Sequence, residues 1–163
     1  ALLLQAVDAL LAKPDDETLR AARTAWCRAR EVYGESEALR FQAGPIEELE
    51  PLLNAWPVDE AYVDHVIGRP DAGIVHDTKQ FPVLAIDVLE VANERGSETN
   101  VSVGWHAIEF LLWGQDSDPA AAGARPWTDF VDAPDGTAAH ADRRRAYLSI
   151  VSELLLDDLA RVG

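Results

Sequence analysis

Positive charge is scarce in this sequence: 14 Lys and Arg stand against 29 Asp and Glu, for a formal net charge of −15. That balance excludes nucleic acid as a partner, because its phosphates would be repelled. It suits attraction of cations, although most of these carboxylates read as solvated surface. Cysteine is almost absent. Cys27 is the only one, so no intrachain disulfide can form. No apolar run reaches the roughly 18 residues that a membrane span needs. The opening ALLLQAVDALLAK has no basic n-region and no cleavage site, so it is not a signal peptide. It reads as an amphipathic helix already under way, as in a piece of a longer protein. Alternating strand patterns and internal repeats are missing too.

What is present is helical periodicity in 163 residues, a length that suits one domain with a sizeable core. After KPDDE, with acids in the first turn, the pattern predicts one long helix over residues 15–41. AGPIEELEP reads as a turn-rich break, followed by a short helix starting near Pro57. Pro82 suits the first position of another helix reaching about Asn93. Residues 101–113 form a strongly apolar helix. A long irregular stretch follows, carrying Trp127 and Phe130, and a last helix spans 138–162 with Leu148, Val151, Leu155, Leu159 and Val162 in helical register. The fold class is all-α, a helical bundle over residues 1–163.

Two constellations carry possible chemistry. On the long helix Trp26, Arg30, Tyr33, Glu37 and Arg40 share the spacing of a buried seam, yet three of the five are charged. Surface ion pairs on an amphipathic boundary are one reading. A polar cluster facing a cleft is the other. Beside the seam runs a small stripe, Ala22, Ala25, Ala29, Val32 and Leu39, able to pack closely. Cys27 reads as a small core hydrophobe.

The second constellation lies in GWHAIEFLLWG, where His106 and Glu109 stand three apart in an otherwise greasy helix. That spacing brings an imidazole and a carboxylate to one point, a donor pair suited to iron or zinc. A His–Glu hydrogen bond inside the bundle explains the pair equally well. The zinc-peptidase motifs do not fit: Ala107 and Phe110 stand where H-E-x-x-H needs glutamate and histidine, and Phe110 also breaks the inverted H-x-x-E-H form. His65, His76 and His140 fall in other segments with no shared motif.

GWHAIEFLLWG resembles the G-x-H-x-x-E motif of the imelysin family. Three more stretches match it in order: AWCRAREVYGESEALRFQAGPIE at 25–47, LNAWPVDEAYVD at 53–64, and the NVS lead-in at 100–102. Glu47 departs from the aspartate more usual after Gly-Pro-Ile. The resemblance implies the N-terminal half of a two-bundle protein of the cell envelope, periplasmic, secreted or lipid-anchored, often linked to iron acquisition. It makes His106 and Glu109 the expected metal pair, with Glu37 as third donor. Arg30, Tyr33 and Arg40 then become neighbours of the site, orienting carboxylates or holding an anionic small ligand. Gly104 is expected to allow a close backbone approach. Asn54 and Trp56 are expected to fix a turn and pack the core. Rival readings are a metallopeptidase and a structural adaptor domain. The apolar row from Leu148 to Val162 is expected to dock on the C-terminal half or on another copy.

One histidine where zinc-peptidase motifs supply two leads us to expect no appreciable peptidase activity. Robust, chelator-sensitive digestion of casein by the pure chain would overturn this.

Overall fold

Helix-forming stretches punctuated by Pro, Gly and Asp give seven α-helices among the described residues of the structure, a computed structural model that describes residues 1–36, 45–116 and 123–162. They are α1 (Leu2–Ala12), α2 (Asp16–Ser36), α3 (Pro45–Leu53), α4 (Glu60–Val63), α5 (Ile86–Ala92), α6 (Gly104–Trp113) and α7 (Ala141–Val162), with a 3-10 turn at Trp127–Phe130. The only extended pairing among these residues is an isolated bridge between Val66 and Arg69. The all-α bundle expected from periodicity is the fold observed. Among the described residues no helix is long and apolar enough to cross a membrane.

The α1–α2 hairpin follows from KPDDET. Asp15 and Thr18 bond each other reciprocally, Thr18 N to Asp15 Oδ1 at 2.9 Å and Asp15 N to Thr18 Oγ1 at 3.1 Å, closing a capping box at the start of α2. That hydrogen bond from Thr18, together with Lys13, lowers the Asp15 carboxyl to about 2. Around this hairpin the core is built by Leu3, Val7 and Leu10 of α1, Leu19, Ala22 and Trp26 of α2, and the inward faces of α6 and α7.

The structure departs from the sequence reading at AGPIEELEP, where a helix stands in place of a break. Pro45 takes its first position, where a missing N–H costs nothing. Pro51 is tolerated near its far end, and Leu49 and Leu53, one turn apart, are buried. Tertiary burial of that pair outweighs the proline signal. The next two helices are shorter than their patterns suggest. α4 begins at Glu60 rather than near Pro57, because the Asp59 carboxylate accepts from Ala61 N and caps it. α5 begins at Ile86, four residues after Pro82. The end of the long helix expected through residue 41 lies outside the described residues.

α7 is the central strut. Leu148, Val151 and Leu155 are buried within this chain, where α7 meets α1, α3 and α6. Leu159 is only partly buried, and with Leu2 and Val32, both exposed, it borders an open apolar trough.

At the start of α6 the backbone passes close to α3. Gly104 has φ +81°, and a Cβ there would lie 2.5 Å from the carbonyl oxygens of both Leu52 and Leu53. The close approach expected of this glycine is realised, and its physical basis is twofold: left-handed backbone and no room. Replacing it by alanine should therefore destabilise the fold by more than about 2 kcal/mol, through strain and displacement of α3. Urea unfolding of Gly104→Ala checks this; a midpoint within error of the parent would refute it.

Candidate functional site

α6 presents His106 and Glu109 on one face because a three-residue step nearly completes a turn. Their side chains meet, His106 Nδ1 lying 2.9 Å from Glu109 Oε2. His106 is mostly buried and Glu109 half exposed, with side-chain exposures of 16% and 42%. Trp56, 71% exposed, lies against the imidazole at 4.9 Å between ring centres. It does not pack the core as the sequence suggested; it covers His106. The loop between α3 and α4 carries it past the end of α3, out of reach of the interior.

Both residues line a cavity of about 760 Å³. Its walls include Trp26, Phe110 and Trp113, and its acidic groups are Asp59, Glu60, Glu109 and Asp116. Burial, reinforced by the charge of Asp116, raises the Glu60 carboxyl above its ordinary range. Among the described residues, the only basic side chain in the lining is Arg69. Such a cavity attracts cations. Cys27 also lines it and is exposed, contrary to the core position expected. Trp26 takes the inward position on α2, and the next residue is turned about 100° away.

Arg30 and Tyr33, expected beside this site, serve a junction between α2 and α3. Arg30 Nη2 donates to Asn54 Oδ1 at 2.7 Å, Asn54 Nδ2 donates to Glu50 Oε1 at 3.1 Å, and Tyr33 Oη donates to Glu50 Oε2 at 3.3 Å. The Arg30 guanidinium also lies over the rings of Tyr33 and Trp105, at 5.0 and 5.9 Å. Asn54 thus fixes the chain after Pro51 as expected. Glu37 and Arg40 lie outside the described residues.

Sequence reasoning missed a second constellation entirely. Asp64, fully buried, receives Arg144 Nη2 at 2.9 Å on one oxygen and Arg144 Nε at 2.6 Å on the other. Arg125 Nη1 reaches the second oxygen at 2.8 Å, and His65 N donates to the first at 2.8 Å. Asp129 pairs with Arg125 at 3.2 Å. The imidazoles of His65 and His76 each stand 3.2 Å from Asp64 Oδ1, and His140 packs edge-on to His76 at 5.2 Å. Burial pushes the Asp64 carboxyl up, but His65, His76, Arg144 and the charge of Arg125 outweigh it and hold it well below the usual range.

Asp64, His65 and His76 offer donor atoms within 4.8 Å of one another, a set that could hold a metal ion. Donor type and distance fit; electrostatics oppose. A carboxylate has about four lone-pair positions, and hydrogen bonds from two guanidiniums and a backbone amide already take that capacity at Asp64. Two carboxylates balance two buried guanidiniums here, so a divalent ion would add uncompensated charge. The cluster's evident work is to hold the chain together. Arg144 also donates to Asp129 O at 2.7 Å. Its neighbours Arg143 and Arg145 clamp the carbonyls of Val75, Ile74, Phe81 and Phe130. The one signal in the sequence was RRR at the start of an apolar helix, where three adjacent arginines cannot share a single solvated face.

A family model described as Imelysin matches residues 1–162. The chain belongs to the imelysin family. No curated protein matches it. The G-x-H-x-x-E segment of this chain sits where α6 borders the acidic cavity, while the Asp64 cluster begins at the residue that ends α4.

Removing the Asp64 charge should leave two buried guanidiniums with Asp129 as their one remaining carboxylate, destabilising the fold by about 3–5 kcal/mol. Because its carboxyl is depressed on folding, the stability it contributes is present above the unfolded value near 4 and disappears as pH falls through the folded one. Asp64→Asn should therefore unfold at lower urea at pH 7, with the gap to the parent narrowing in strong acid. A neutral variant at pH 7 would contradict this account.

Proposed function

We propose that this chain is a metal-associated binding domain of the cell envelope that takes a divalent cation, iron or zinc, in the cavity beside α6. The observation that carries the reading is the meeting of His106 and Glu109 at the wall of a cavity whose charged groups are nearly all carboxylates. Membership of the imelysin family supports it. With Glu109 bonded at Nδ1, the neutral imidazole keeps a lone pair on Nε2 for the cation, and the carboxylate orients the ring and raises its basicity. The metal itself would supply a point of positive charge for an anionic small ligand or chelator. In this geometry α6 offers the cation one donor, His106 Nε2, which gives weak affinity on its own; Glu109 turned away from Nδ1, Glu37 or a second bundle would supply the remainder.

Asp64, His65 and His76 are the second reading for a metal, favoured by their donor spacing and opposed by the two arginines. A catalytic use of the metal, as in a metallopeptidase, and a purely structural role are the remaining alternatives.

Titration of the pure chain with ferrous iron under anaerobic conditions, and separately with zinc, decides among these by calorimetry and elemental analysis. We expect weak binding that His106→Ala reduces at least tenfold, on the order of the effect of losing a group that holds a metal ligand. His76→Ala should leave it unchanged. Loss that follows His76 instead would move the metal to the buried cluster, and no binding of either ion would overturn the proposal.

A further inference from the structure

A second cavity, of about 840 Å³, lies between the start of α1, the length of α2 and the second half of α7. Its walls are apolar, formed chiefly by Leu2, Ala25, Val32, Leu155, Leu156 and Leu159. The alanines of α2 leave the trough open, and Leu2 and Val32 are 76% and 69% exposed at its edge. Its size falls within the roughly 300–1,000 Å³ of small-ligand sites.

Polar groups in this lining are almost all donors. Trp105 and Ser152 are buried, and neither Trp105 Nε1 nor Ser152 Oγ has a hydrogen-bond partner. Buried polar atoms in native proteins are usually satisfied, so two in one cavity wall call for an explanation. Arg20 and Arg28, two turns apart on α2, also line the cavity, and neither has an ion-pair partner among the described residues. Glu17 is the single acid, and the Thr24 hydroxyl is spent on Arg20 O. In a chain of net charge −15, the charged side chains described in this lining are basic on balance.

We propose that this cavity binds a single-chain amphiphile with an anionic oxygen head, an alkyl carboxylate of fatty-acid type. Its chain covers the trough of α2 and α7, removing apolar surface from water. Its carboxylate answers the guanidiniums of Arg20 and Arg28, and its chain lies against the wall to which Trp105 and Ser152 belong. A cationic amphiphile would find only Glu17. A second copy of the chain fits poorly, since a two-fold contact sets this patch against itself, arginine against arginine, between two molecules of large like charge.

Decanoate below its micellar concentration is the probe, with decyltrimethylammonium as the same chain bearing the opposite charge. Calorimetry and the indole N–H resonance of Trp105, assigned with Trp105→Phe, are the readouts. We expect decanoate to bind and shift that resonance, and decyltrimethylammonium to do neither, although the net charge of the protein favours the cation. The double variant Arg20→Gln, Arg28→Gln should bind decanoate at least tenfold more weakly with unchanged circular dichroism. Both substitutions are on exposed residues, so folding is not at risk. Equal binding of the two amphiphiles, no binding of decanoate, binding without a shift at Trp105, or a stable dimer that hides this face would each overturn the proposal.

Discussion

Arg144 and Arg125 close on the Asp64 carboxylate from two segments distant in sequence, and much of the architecture outside the helices depends on that contact. Residues 64–81 contain no helix, and residues 123–140 contain only a 3-10 turn. Such stretches carry backbone polar groups that need partners. α7 supplies them: Arg143 takes three carbonyls of the first stretch, while Arg144 and Arg145 take carbonyls of the second. Burying guanidiniums for this purpose demands counter-charge, and Asp64 with Asp129 provides it. The cluster is balanced in charge, two against two, and the donors of Arg144 are used, while Arg125 Nε and Nη2 stay buried without a hydrogen-bond partner.

This explains why the helices were legible in the sequence and the clamp was not. Helical periodicity is local, and the α1–α2 hairpin, α6 and α7 follow from spacing and from caps such as the Asp15–Thr18 box. Where a tertiary contact competes with a local signal, reading fails. Proline at 45 and 51 reads as a break, yet burial of Leu49 and Leu53 keeps α3 helical. Asp64 and Arg144 are 80 residues apart. Neither carries a mark that distinguishes it from a solvated charge. His65 and His76 belong to no motif, and only the fold sets them beside one carboxylate.

The candidate site was legible in part for the same reason. His106 and Glu109 are three apart on one helix, so local geometry alone brings them together. Trp56 and Cys27 were misplaced because their roles depend on how a loop and a neighbouring helix sit against α6. The spacing of Arg30 and Tyr33 left a surface boundary and a cleft-facing cluster both open, and the contacts they make, with Asn54, Glu50 and Trp105, tie α2 to α3 and α6. Spacing identifies the face a residue occupies. It does not identify what the neighbouring element offers to that face.

The two histidine-bearing clusters differ in one physical respect that separates support from binding. Around Asp64 the charges cancel and the carboxylate oxygens are taken by Arg144, Arg125 and the His65 amide, so little capacity remains for a foreign cation. Around His106 the balance is open: four carboxylates and one arginine line a cavity that solvent reaches, and the imidazole has one nitrogen committed to Glu109. An unbalanced, accessible set of acceptors is what a cation can use at modest desolvation cost, because the charge it brings replaces repulsion among the carboxylates. Burial raises the Glu60 carboxyl above its ordinary range, so its charge is costly to keep in the cavity wall. A bound cation would offset that cost, so occupancy of the cavity and ionisation of Glu60 are linked.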